Sequence, residues 1–131
     1  MDLALRQLVR SRALDRCEYC RMPQFAVEAT FHVEHIVARQ HSGDDQLTNL
    51  ALACNRCNLH KGPNLTGIDP MTGAVVPLFH PRQHTWDEHF EMRDTSIVGR
   101  TSTGRATVRL LQMNAKHRRH LRAALQTLGN W

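Results

Sequence analysis

Aromatic residues are scarce: one Tyr, two Trp and four Phe in 131 residues. The length falls below the roughly 150 residues of an average domain, so one small domain with terminal appendages is expected. A chain this short buries a limited core, and some other staple is needed, for which four cysteines are available. Lysine is nearly missing as well. Fifteen of the 17 cations are Arg, a bias suited to bidentate contact with phosphate or carboxylate. Residues 99–131 lack acid altogether and hold seven cations, and residues 1–16 hold four Arg against two Asp. Residues 17–98 hold six cations against ten carboxylates. Basic ends around an acidic middle suggest that the ends meet a polyanion while the middle does something else. No apolar run approaches the ~18 residues of a membrane span, and the N-terminus has no h-region, so no membrane and no signal peptide are expected. A cytoplasmic or nucleoid-associated location follows as an expectation. Hydrophobic content of 41% argues against wholesale disorder, and no internal repeat is visible.

Leu3, Leu5, Leu8 and Val9 form a helical stripe within residues 2–13. Phe31-His-Val-Glu-His-Ile-Val37 alternates and is rich in β-branched residues, as in a strand. Residues 41–45 read as a loop, residues 47–53 as a second strand, and residues 56–61 as a helix stopped by Gly62-Pro63. Turn chemistry at Asp69-Pro-Met-Thr-Gly73 predicts a hairpin over about 65–80, with Pro77 limiting its second arm to an edge. Residues 80–90 read as irregular. Thr101–Thr103 can cap a helix through Met113, and a last helix spans 115–128 with Leu121, Ala124, Leu125 and Leu128 on one face.

The cysteines form two C-x-x-C pairs, Cys17/Cys20 and Cys54/Cys57. Each pair can turn two thiolates toward one point, and two pairs make the tetrahedral sulfur set that structural Zn²⁺ prefers. Disulfides fit less well without a secretory signal. The pairs are 33 residues apart, farther than in common zinc ribbons, so the function is to be sought in the insert.

That insert carries Glu34-His35-Ile36, then Asn49-Leu50, then Cys54-Asn-Arg-Cys-Asn-Leu-His-Lys61. In this order, interleaved with four cysteines, the run resembles the HNH endonuclease family with its ββα-metal finger, in the zinc-bearing branch. The resemblance covers roughly residues 17–62; the final 40 residues add no motif. It implies an α+β fold: a small ββα-metal core stapled by a four-cysteine zinc site, with an added hairpin and flanking helices. It also implies metal-dependent hydrolysis of DNA, leaving a 5′-phosphate and a 3′-hydroxyl. By it His35 is the general base, a role that suits an imidazole titrating near neutral pH. Glu34 is a ligand of the catalytic ion, Asn58 supplies a second oxygen, and Asn49 ties down the loop that orients the base. The last motif position is Asn rather than His, and oxygen ligands favour Mg²⁺ or Mn²⁺.

His32 or His60 is a further candidate ligand, although a structural or surface role suits each better. His80, His84 and His89 match no compact ligand motif. Arg56 and Lys61 flank the expected metal ligands and suit the DNA backbone. Lys116, Arg118, Arg119 and Arg122 suit phosphate contact, with an ordinary basic helix surface as the equal alternative. The expected organisation is an HNH domain over 1–98 and a basic helical extension over 99–131 packed on or beside it. DNA is the expected partner, with the protein acting as a monomer or homodimer. Two rival readings stay open: a zinc-dependent nucleic-acid-binding module without catalysis, and an RNA-directed nuclease or toxin.

Overall fold

The computed structural model describes residues 1–131. Helix α1 (Leu3–Arg12) starts where Asp2 accepts a hydrogen bond from the Leu5 amide at 2.7 Å, one of the helix-end donors that would otherwise lack a partner. Only Val9 of its apolar stripe is buried, while Leu3 and Leu8 remain exposed. Strands β1 (His32–His35) and β2 (Leu50–Ala53) pair antiparallel, with Glu34 opposite Ala51 and His35 opposite Leu50. Helix α2 (Asn55–Lys61) follows directly, so the segment is a ββα unit. The expected strand over 31–37 is shorter at both ends. Residues 47–49 form a 3₁₀ turn rather than the start of β2, because Asn49 spends its side chain on the preceding loop.

Strands β3 (Thr66–Ile68) and β4 (Val75–Pro77) make the expected hairpin. Asp69, at the start of its turn, is fully buried. It accepts from Arg105 Nε at 2.9 Å and Nη2 at 2.8 Å, from the Met71 amide and from the Thr72 hydroxyl. The stretch expected to be irregular ends in a helical turn, α3 (Trp86–His89), and runs into a third hairpin that was not anticipated. This hairpin is β5 (Phe90–Arg93) and β6 (Ser96–Gly99), closed by Asp94 in the left-handed region at φ 53°. Its turn lacks glycine and proline, which is why turn chemistry did not reveal it.

Helix α4 (Ser102–Leu110) is capped by Thr101, whose hydroxyl accepts from the Gly104 amide at 3.0 Å. Gly104 sits where a Cβ would lie 2.0 Å from the His89 carbonyl oxygen, so the close approach of α4 to the third hairpin requires glycine. Helix α5 (Lys116–Thr127) departs from expectation in its face. Its buried residues are Arg118, Arg122 and Leu125, whereas Ala124 and Leu128 are exposed. One apolar cluster joins Val9, the cysteines, Leu50–Ala53 and Phe90 to Leu111, Met113 and Leu125, so the C-terminal helices share the core of the ββα unit. No helix is long and apolar enough to cross a membrane.

Candidate active site

Each C-x-x-C pair is a turn in which the first sulfur accepts the amide of the second cysteine. Cys17 Sγ takes the Cys20 amide at 3.5 Å, and Cys54 Sγ takes the Cys57 amide at 3.4 Å while capping α2. The first turn is docked on β2 through Glu18, whose amide donates to the Leu52 carbonyl and whose Oε2 accepts from the Leu52 amide, each at 2.8 Å. The second turn begins where β2 ends. All four sulfurs therefore converge, buried, within 4.8 Å of one another. A tetrahedral ion bonded at about 2.3 Å holds its sulfurs roughly 3.8 Å apart. Cys20 and Cys54 stand at 3.7 Å, far beyond a disulfide bond of about 2.05 Å. The donor set and its spacing fit a zinc ion.

A second centre lies on the hairpin side. An open cleft of about 450 Å³ is lined by His32, Glu34, His35, Arg39, Asn58 and Gly62, among others. The structure thus brings together His32, Glu34, His35 and Asn58. His60, half-buried on α2, is not part of its wall. Glu34 is buried and accepts through Oε1 from the Tyr19 hydroxyl. Burial pushes the Glu34 carboxyl up from its ordinary value, opposed by the charge of Lys61 and the Tyr19 hydrogen bond. Its Oε2 has no hydrogen-bond partner within the protein. Tyr19 belongs to the first cysteine turn, and its carbonyl accepts from Trp86 Nε1 at 2.8 Å. The cysteine cluster and the cleft carboxylate are therefore joined by one residue.

His35 Nε2 lies 2.6 Å from Asp45 Oδ1, and Arg39 Nη2 donates to both oxygens of Asp45 at 2.9 and 3.2 Å. The hydrogen bond from His35, with the charge of Arg39, holds the Asp45 carboxyl below its usual value. With Nε2 engaged as the donor, Nδ1 is the nitrogen left to accept a proton. The loop between His35 and Asn49 is fastened from its far end. Asn49 Oδ1 accepts from the Val37 amide at 2.9 Å, and its Nδ2 donates to the carbonyls of Val37 at 3.0 Å and Asp44 at 2.8 Å. Gly43 permits the tight return of this loop, since a Cβ there would lie 1.6 Å from the Val37 carbonyl oxygen.

This ββα unit, with its cleft and its sulfur cluster, coincides with a family match: residues 17–64 fit the model described as HNH endonuclease. The segment is similar to an HNH domain. No curated protein and no solved structure matches the chain. The matched residues contain the ββα unit, the cysteine cluster and the cleft.

Three cations expected at the DNA backbone sit elsewhere. Lys61 is 2% exposed and donates to the Ile36 carbonyl at 2.9 Å, so it braces the hairpin beneath Glu34. Arg118 is 4% exposed and donates to Cys57 Sγ at 3.0 Å. Arg122 is fully buried and donates to the carbonyls of Thr95 and Met113 and to Asn114 Oδ1. All three are buried and donate to oxygens or sulfurs inside the fold, although Arg122 Nη1 has no partner there, and a phosphate cannot reach them. Arg56 and Lys116 remain exposed and Arg119 half-exposed. Asp45 and Tyr19 were missed from sequence. Tyr19 offered a signal by lying inside a C-x-x-C pair, whereas Asp45 offered none, since its approach to His35 exists only once the loop has closed.

Proposed function

We propose that the chain is a metal-dependent endonuclease that hydrolyses DNA phosphodiester bonds. The observation that carries this reading is the cleft in which Glu34, His35 and Asn58 meet, with His35 held by Asp45. His35 acts as the general base, taking a proton from water at Nδ1 while Nε2–H stays on Asp45. Asn49 keeps the loop bearing Asp45 in register with the hairpin. Glu34 and Asn58 offer oxygen donors, a hard set that suits Mg²⁺ or Mn²⁺; His32 stands beside them on the cleft wall. A divalent ion bound there would stabilise charge on the scissile phosphate and the leaving 3′-oxygen. Tyr19 orients the Glu34 carboxylate through its hydroxyl, and Lys61 supplies nearby positive charge. Cys17, Cys20, Cys54 and Cys57 would hold a structural zinc, which would fasten the first cysteine turn to the junction of β2 and α2. Exposed Arg56 and Lys116 and half-exposed Arg119 serve the DNA backbone, with residues 99–131 acting as an extension packed on the nuclease portion over 1–98.

Purified protein incubated with supercoiled plasmid and Mg²⁺ or Mn²⁺, with and without chelator and beside an RNA control, tests the reading. Metal-dependent nicking or linearisation with 5′-phosphate ends is expected. DNA binding without cleavage by zinc-loaded wild-type protein would favour the binding module, and cleavage of RNA alone would favour the RNA-directed reading.

A further inference from the structure

The buried stripe of α5 presents a charge problem. Arg118 and Arg122 lie one helical turn apart, both almost inaccessible, and neither forms an ion pair with a carboxylate. An uncompensated buried cation is costly, so such groups are paired. No acid occurs anywhere in residues 99–131 to supply the pairing. The groups that Arg118 meets are carbonyls and sulfurs. Nη1 donates to the Leu111 carbonyl at 2.7 Å and to that of Gln112 at 3.1 Å, while Nη2 donates to Cys57 Sγ at 3.0 Å and lies 3.7 Å from Cys54 Sγ. Four thiolates around Zn²⁺ carry a formal charge of about −2, and two guanidinium groups carry the opposite charge. The guanidinium plane of Arg118 joins the end of α4 to the second cysteine turn, whose Cys57 lies 61 residues before Arg118 in the chain.

We propose that Arg118 is the built-in counter-ion of the zinc–thiolate centre, and that helix α5 is thereby a component of the metal site. This rests on the zinc reading above. The N–H···S bonds drain charge from the Cys57 and Cys54 thiolates without competing for the metal. They favour the metal-holding arrangement of the site over release. Metal retention and the docking of α5 become two aspects of one interaction.

Arg118→Gln removes the charge, and Arg118→Lys keeps the charge but loses the planar fork. Zinc affinity and release to a chromogenic chelator are measured for both variants and wild type, with far-UV circular dichroism as the folding control. The thiolate-to-metal charge-transfer bands of the Co²⁺-substituted proteins are recorded in parallel. Loss of a group that orients metal ligands typically costs about 10–100-fold in affinity. Arg118→Gln is expected to fall in that range with shifted Co²⁺ bands, and Arg118→Lys to lie between it and wild type. A folded Arg118→Gln protein with wild-type zinc affinity and unshifted bands would overturn the proposal. Should the Gln variant not fold, Arg118→Lys decides: weaker zinc binding with shifted bands supports the proposal, and wild-type behaviour in both contradicts it. If wild-type protein itself takes up neither zinc nor cobalt, the zinc reading fails and this one with it, a result distinct from those two.

Discussion

Tyr19 is the residue through which the cysteine cluster reaches the cleft. Tyr19→Phe removes the hydroxyl that Glu34 accepts from and leaves the sulfurs in place. A net contribution of about 1.5–3 kcal/mol for a hydrogen bond to a charged group sets the scale. The half-saturating Mg²⁺ concentration for cleavage is expected to rise by roughly tenfold or more, with zinc content unchanged; an unaltered Mg²⁺ requirement would remove Tyr19 from the account. A second test at this scale concerns acid stability. The hydrogen bonds from Arg105 hold the Asp69 carboxyl well below its ordinary value, with the Met71 amide and Thr72 hydroxyl assisting. Because the folded value is depressed, the stabilisation is fully present above the unfolded value of about 3.9 and is lost as pH falls toward the folded one. Melting temperatures measured from about pH 6 to about pH 3 should fall less steeply for Asp69→Asn than for wild type, from a lower starting point. Residue by residue, the four cysteines, Glu34, His35 and Asn49 were legible because their chemistry is written in short spacings. Asp45 and Arg118 were not, because their partners lie 10 and 61 residues away and only the folded chain introduces them.

Elements were legible where periodicity and turn residues agreed, as for the β3–β4 hairpin and helix α4. The β5–β6 hairpin escaped because its turn uses Asp94 in a left-handed conformation in place of glycine. Helix α5 was found in place, and Leu121 and Leu125 of its expected face do meet the core, but a periodicity of leucines and alanines cannot reveal that Arg118 and Arg122 point inward beside them. The packing of α4 gives a direct test. Gly104→Ala would drive a methyl group into the His89 carbonyl, and forced overpacking of this kind typically costs about 1–3 kcal/mol. Denaturant unfolding should show that loss, and a neutral Gly104→Ala would mean that α4 sits less closely on the hairpin. Removal of residues 115–131 takes out Leu125, Arg118 and Arg122, all buried. The truncated chain is therefore expected to lose cooperative unfolding, rather than to survive as a folded protein with a smaller salt dependence of DNA binding.

Across the whole molecule, three two-stranded sheets and short helices are gathered around one modest core, and the cysteine cluster lies within it. Apparent binding energies of structural zinc sites are about 10–16 kcal/mol, comparable with or above the whole stability of a small domain. Cys54→Ser, or exhaustive chelation, is expected to unfold the chain as seen by circular dichroism; a well-folded, zinc-free protein would contradict the structural role given to the cluster. The basic balance of the chain, +5 formally, is a coarser guide than it first appears. Part of that charge is consumed inside the fold by Arg118, Arg122 and Lys61, and only the exposed remainder is left at the surface.

The central claim is that His35 is the base of a metal-dependent nuclease. Cleavage of supercoiled plasmid by wild type, His35→Ala and Glu34→Ala across a Mg²⁺ titration tests it most directly, with zinc content and DNA affinity measured on the same preparations. Loss of a positioned base costs about 10²–10⁴ in rate. His35→Ala should show that loss at every Mg²⁺ concentration while binding DNA as wild type does, whereas the Glu34→Ala defect should ease as Mg²⁺ rises. Undiminished cleavage by folded, zinc-loaded His35→Ala protein would contradict the account.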